Sequence, residues 1–172
     1  NVTVPTGTTL SPATNGVVGT LTLNNDLTVN GGTLAFDVTS TSSHDLLNVL
    51  GNLTINSGSV LVITNTTPLA NGTYKLIQYS GGLLNGPGSS GNLIVQGFNQ
   101  PGKIAALSDA TPNEIDLVVS TLGGANTTWT GNDPSQPGLW DVETTKNFAN
   151  SAHTPVTFVN GDKPTFDDSS TV

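Results

Sequence analysis

A chain of 172 residues with 34% apolar and 9% charged side chains, rich in Gly, Asn, Thr and Ser, has the length of one domain, or one domain with a small appendage. The shortage of Leu, Ala, Glu and Lys excludes a helical bundle, and low charge with many β-branched residues excludes an ordinary disordered chain. The net charge of −8, with only Lys75, Lys103, Lys146 and Lys163 as cations and no Arg, excludes nucleic-acid binding and argues against recognition of acidic polysaccharides.

The composition suits many short strands joined by tight turns. No Cys is present, so stability rests on burial and backbone ladders rather than on disulfides. No Met is present either, from which we expect a processed chain or a fragment. No apolar run approaches the ~18 residues of a membrane-spanning helix.

In chain order, the first strong signal is an internal repeat. "TLTLNNDLTVNGGTLAF" (20–36) aligns with "LLNVLGNLTINSGSVLV" (46–62) at a constant offset of 26. Leu21 falls on Leu47, Leu23 on Val49, Leu27 on Leu53, Val29 on Ile55, Gly32 on Gly58 and Leu34 on Val60. Apolar and polar residues alternate within each short run, and Asn/Gly-rich breaks separate the runs. Three short strands per repeat predict a β-solenoid coil, with Leu21/Leu47 and Val29/Ile55 stacked as interior ladders. A β-sandwich meander with two similar hairpins is the competing fold. Residues 37–45 ("DVTSTSSHD") are expected to bulge from one corner as a loop.

Further on, residues 71–81 predict a strand with Tyr74, Leu76 and Tyr79 inward. Strands at 91–97 and 113–120 either continue the solenoid or close its end so that no bare edge remains. The character changes near residues 121–127, giving solenoid coils over 1–120 and a β extension over 121–172. That extension holds Trp129, Trp140, Phe148, Phe158 and Phe166, read as a compact aromatic cluster with the tryptophans as core anchors.

The blocks "DLLNVLGNLTINSGSVLVI", "NGTYKLIQYSGGL" and "TWTGN…GLWDVETTKNF…VTFVNGDKPTFDDSSTV" together resemble the autotransporter-associated β-strand repeat proteins of bacterial surfaces. The third block is the most specific of the three. This resemblance implies a right-handed parallel β-helix that is exported and has an adhesive, structural or surface-coating role. Phe148 stands where the family more often has Trp, and the family's membrane-spanning barrel has no counterpart in these residues.

Candidate sites are sparse. Glu114 and Asp116 share one strand face at i, i+2, and are read as the solvated face of an edge strand rather than a catalytic pair. No Lys is expected near an acid cluster except Lys163. Asp162, Asp167 and Asp168, with Ser169, supply oxygen ligands suited to Ca²⁺, although a capped turn explains the same residues. His44 and His153 are read as isolated loop histidines without partners for zinc. Asn1, Asn52, Asn65, Asn71 and Asn126 begin Asn-x-Ser/Thr triplets, read as exposed polar turns. We therefore expect no catalytic residue, no cofactor and no assigned metal, and a chain that is not an enzyme.

The leading expectation is an extracellular structural or adhesive unit that assembles end to end with copies of itself. Placing residue 172 before residue 1 gives "FDDSSTVNVTVPTG", in which Val172, Val2 and Val4 alternate with Asn1 and Thr3 as one strand. The interface would then comprise Asn1, Val2, Thr3, Val4, Ser170, Thr171 and Val172. The alternative is a carbohydrate-binding or carbohydrate-processing β-helix.

Overall fold

The computed structural model describes residues 1–65, 67–87, 92–142, 144–159 and 161–166. The chain divides into two compact units, one of residues 1–100 and 104–120, the other of residues 101–103 and 121–172.

The first unit is a β-solenoid. Its first coil comprises β1 (Val2–Pro5), β2 (Thr9–Leu10) and β3 (Thr20–Leu23). The second comprises β4 (Leu27–Asn30), β5 (Thr33–Ser40) and β7 (Leu46–Val49), with a short β6 (Ser43–His44) between the last two. The third comprises β8 (Leu53–Asn56), β9 (Ser59–Thr64) and β10 (Gly72–Tyr79). A partial fourth adds β11 (Leu83–Leu84) and β12 (Leu93–Gln96). Corresponding strands stack in parallel, giving three faces ordered β1-β4-β8-β11, β2-β5-β9-β12 and β3-β7-β10.

Strand alternation sends every second side chain inward, and stacking turns those positions into ladders. Val4, Val29 and Ile55 form one ladder and Leu27, Leu53 and Leu83 another. Leu21, Leu47 and Ile77 line the third face. Leu27, Val29, Leu53 and Ile55 are wholly buried, and each such side chain stabilises by ~1.5–3 kcal/mol over an exposed one.

The constant offset holds on two faces and fails on the third. Leu27 pairs with Leu53 and Leu21 with Leu47 as the repeat predicts, but Leu34 pairs with Leu61 rather than Val60. Gly58 accordingly lies over Gly31, not Gly32, and both adopt positive φ, 81° and 74°. The cause is one extra residue, Ser57, in the turn after Asn56. A one-residue slip exchanges the two faces of a strand, so Ser59, Leu61 and Ile63 point inward instead of Val60 and Val62. Ser59 sits in the apolar interior because its hydroxyl donates to Asn56 O at 2.7 Å and accepts from Gly31 N–H at 3.2 Å.

Residues 37–45 are also not a simple loop. β5 runs on through Ser40 and folds back antiparallel against β6, pairing Val38 with His44. The hairpin is anchored by buried Asp45, whose carboxylate accepts from Gly19 N–H at 2.7 Å and Asp37 N–H at 2.9 Å.

Of the later strands, one continues the solenoid and two extend a single face. β12 continues the solenoid in parallel on β9. β13 (Lys103–Ser108) and β14 (Glu114–Thr121) instead extend the third face, β14 running antiparallel to β10 from Gly72↔Val119 to Gln78↔Glu114 with a bulge between Lys75 and Ile77.

The second unit carries a separate sheet of β15 (Asn126–Trp129), β16 (Phe148–Ala149), β17 (Pro155–Val156) and β18 (Lys163–Thr165), ordered β17-β16-β15-β18.

Candidate functional site

The first coil is where the expected interface residues fall. β1, β2 and β3 each end their sheet, so each has a strand neighbour on one side only among the described residues. Asn1 is exposed, Val2 is half-buried and Val4 is buried, with Thr3 facing out. Val2, Leu10, Leu21 and Leu23 pack on the core from one side alone and stay partly exposed. Nearby in sequence, Val17 is 57% exposed. None of the three strands, "VTVP", "TL" and "TLTL", contains a charged residue, the usual means of blunting a sheet edge. Pro5 alone, at the end of β1, lacks a backbone donor. Ser170, Thr171 and Val172 lie outside the described residues.

Glu114 and Asp116 are not both solvated. Glu114 is half-buried, but Asp116 is 3% exposed, enclosed on the face of β14 opposite Ile115 and Leu117. Thr111 Oγ1 donates to Asp116 Oδ2 at 3.1 Å, while Asp116 Oδ1 has no hydrogen-bond partner among the described residues. Burial pushes the Asp116 carboxyl above its ordinary value, opposed by the Thr111 bond, reinforced by Glu114 and eased by Lys75. Lys75 lies directly across on β10 and its Nζ reaches Glu114 Oε1 at 2.8 Å. A lysine therefore does stand beside an acid pair, and it is Lys75 rather than Lys163. The 39-residue separation of Lys75 and Glu114 hid this contact from the sequence.

Asp162 is a turn cap: Oδ1 accepts from Ala125 N–H at 2.8 Å and Oδ2 from Val159 N–H at 3.0 Å. Asp167, Asp168 and Ser169, its partners in the calcium expectation, lie outside the described residues. Among the described residues, no three His, Cys, Asp or Glu side chains gather as metal ligands would.

The second unit contains an organising centre that the sequence reading missed. Asn147 is wholly buried, with Oδ1 accepting from Asp133 N–H at 2.6 Å and Nδ2 donating to Gln136 O and Leu139 O, each at 2.8 Å. Asp133 closes the same turn. Its Oδ1 accepts from the Ser135 hydroxyl and the Ser135 and Gln136 N–H groups, and its Oδ2 from Lys146 N–H at 2.7 Å. These bonds, the Ser135 hydroxyl first, hold the Asp133 carboxyl far below the ordinary range. The only sequence signal was Asn, Asp, Pro and Gly crowding "GNDPSQPG", which reads equally as any turn.

The aromatic cluster exists, but Trp140 is not a core anchor. Phe148 is buried, with Trp129 edge-on at a centroid distance of 4.9 Å and Phe158 at 5.2 Å. Trp140 stacks at a tilt on Phe166, 5.2 Å away, and the two are 50% and 54% exposed. Among the described residues, the segment 131–147 holds itself together largely by the hydrogen bonds of Asp133 and Asn147.

His153 is exposed at φ 56°, as expected of a turn residue. His44 is not: it lies on β6, half-buried, edge-on to Tyr74 at 6.2 Å. Asn1, Asn52, Asn71 and Asn126 are exposed and Asn65 is half-buried. A recess of about 280 Å³ is lined by Thr9, Ser11, Asn15, Ala35, Phe36, Asp37 and Thr64. Asp37, 7% exposed, accepts from Gly16 N–H there at 2.7 Å.

Compared with known proteins, the chain matches no family model, and no curated protein is similar to it in sequence.

Proposed function

We propose that this chain is a structural or adhesive unit of an extracellular bacterial surface array, built by adding coils end to end, either as tandem repeats or as separate copies of itself. The observation that carries the reading is the first coil: three uncharged edge strands, with inward apolar side chains packed from one side only. A further coil with an apolar-x-apolar strand would pair those backbones and cover Val2, Leu10, Leu21 and Leu23. Joining unlike ends does not close on itself, so it yields filaments rather than dimers. The resemblance to autotransporter-associated β-strand repeats supports the exported location, and the reading needs neither cofactor nor catalysis. Electron microscopy of the native material tests it: an axial repeat is expected, and discrete particles without one overturn it.

A second reading, carbohydrate binding, is favoured by one feature. Trp140 and Phe166 offer adjacent half-exposed rings, a surface on which a sugar ring can stack. A glycan array would register binding lost in Trp140→Ala. No signal from the wild-type chain removes this alternative.

A further inference from the structure

The geometry points to a self-formed covalent cross-link: an amide bond between Lys75 Nζ and Asp116 Cγ, formed with loss of water and assisted by Glu114. Three observations meet at one place. Lys75 and Asp116 are directly opposed residues of adjacent antiparallel strands, and such pairs have Cβ atoms only ~4.5–5.5 Å apart. Glu114 already holds the Lys75 ammonium at 2.8 Å. Asp116 is 3% exposed, and one of its oxygens has a hydrogen-bond partner while the other has none among the described residues.

That asymmetry gives the two oxygens different parts in the reaction. Oδ2, held by the Thr111 hydroxyl, remains as the amide carbonyl. The unpartnered Oδ1 is the oxygen that departs. Burial raises the proton affinity of Asp116, which favours the neutral acid, the form whose hydroxyl can leave as water. Glu114 accepts a proton from the Lys75 ammonium and frees the amine lone pair, which attacks Cγ. The new C–N bond forms as the Cγ–Oδ1 bond breaks, its electron pair leaving with the hydroxyl. Lys75 starts with three N–H protons and ends with one. One of the two it surrenders departs in the water molecule, and the other stays on Glu114 or passes to solvent. No oxidant, metal or cofactor enters the balance.

An ordinary ion pair accounts for less. Lys75 and Glu114 alone would form a partly exposed contact of small consequence, with no role for a buried acid beside it. The position of the bond also has a structural logic. β14 is the antiparallel strand that extends the third face beyond β10, paired to it across a bulge at the same residues. An amide there rivets that strand to the coil in a chain that has no Cys with which to make a disulfide.

Intact-mass spectrometry of the denatured chain decides the matter. The wild-type protein is expected to be lighter than its sequence by one water, and proteolysis should release a branched peptide joining the segments around Lys75 and Asp116. Lys75→Arg, Asp116→Ala and Glu114→Gln should each restore the full mass, with circular dichroism verifying that each variant remains folded. Full sequence mass in the aged, folded wild-type protein overturns the proposal. So does a water loss that persists in Lys75→Arg, because that loss belongs to an aspartyl succinimide elsewhere.

Discussion

The two units of this chain solve burial in opposite ways. In the solenoid, a continuous cluster from Val4 to Val119 fills the interior with stacked aliphatic and aromatic side chains. In the second unit, the buried apolar residues are Phe148 and Ala149, while Thr127, Asp133, Thr145 and Asn147 are buried polar groups among the described residues. Apolar contact is non-directional and tolerates small displacements, whereas a hydrogen-bonded centre is lost when one partner is removed. The first unit should therefore respond mainly to cavities, and the second to single polar atoms and to acid.

Both tryptophans lie in the second unit and both tyrosines, Tyr74 and Tyr79, in the first, so fluorescence and near-ultraviolet dichroism follow the units separately. The largest effect is expected from Ile55→Ala, which opens a cavity beside Val29 in the Val4–Val29–Ile55 ladder. A loss of ~2–5 kcal/mol should appear in denaturant unfolding followed by tyrosine, with the tryptophan transition less affected. An equal shift of both transitions would mean that the units unfold as one.

Asn147→Ala should come next. It leaves Asp133 N–H without its partner and takes one donor from each of the Gln136 and Leu139 carbonyls, which keep Leu139 N–H and the Thr145 hydroxyl, and a buried orphan costs ~1–3 kcal/mol. The tryptophan transition should move and the tyrosine transition should not. If Asn147→Ala leaves the tryptophan signal unchanged, the hydrogen-bonded centre is not what holds the second unit.

Much of this contrast was legible in the sequence for the solenoid and little for its companion. The 26-residue offset of Leu21/Leu47 and Val29/Ile55 is a local periodic pattern, and periodicity survives folding unchanged. Its failure at Leu34 has a physical reason. In "SVLVI" (59–63) four adjacent residues are apolar, so alternation alone does not say which pair faces inward, and the extra turn residue Ser57 decides it. Asp116 looked solvated because the pattern Glu-Ile-Asp-Leu alternates cleanly, and nothing local announces a cover on its polar face. Asn147 was passed over because in a segment crowded with turn formers a hub and a surface Asn are spelled alike.

Acid should separate the units by sign. The Asp133 carboxyl is held below its unfolded value, so the stability it contributes is fully present above ~4, the ordinary carboxylate value, and is lost progressively as pH falls from there through the lower folded value. The Asp116 carboxyl, before any cross-linking, is raised. Its contribution is present below the unfolded value and is lost as pH rises through the folded one. Tryptophan-detected stability should thus fall on acidification, and Asp133→Asn should flatten that fall. In Lys75→Arg, which cannot form the amide, tyrosine-detected stability should carry an opposite slope that Asp116→Asn removes. Slopes of the same sign in both probes would contradict the assignment.

The smallest effect is expected at the coil corner where Asn56 Nδ2 donates to Asn30 Oδ1 at 3.1 Å. This bond is exposed, so Asn56→Ala should cost no more than ~1 kcal/mol in the tyrosine-detected transition. A larger loss would show that the corner, and not only the interior, sets coil stability.

Ser57 carries a consequence for how such a molecule can change through evolution. One added residue at a corner shifts the ladder of the face that follows while the strands before it, Leu27 to Asn30 over Leu53 to Asn56, keep their partners. The strands that follow still stack in parallel, with Leu47 on Ile77 and Leu53 on Leu83, so a corner can change length without undoing the coil. Single-codon insertions should be survivable at these turns and ruinous within the strands. A lineage free to vary its corners can acquire new surface loops while leaving the stacked interior nearly untouched.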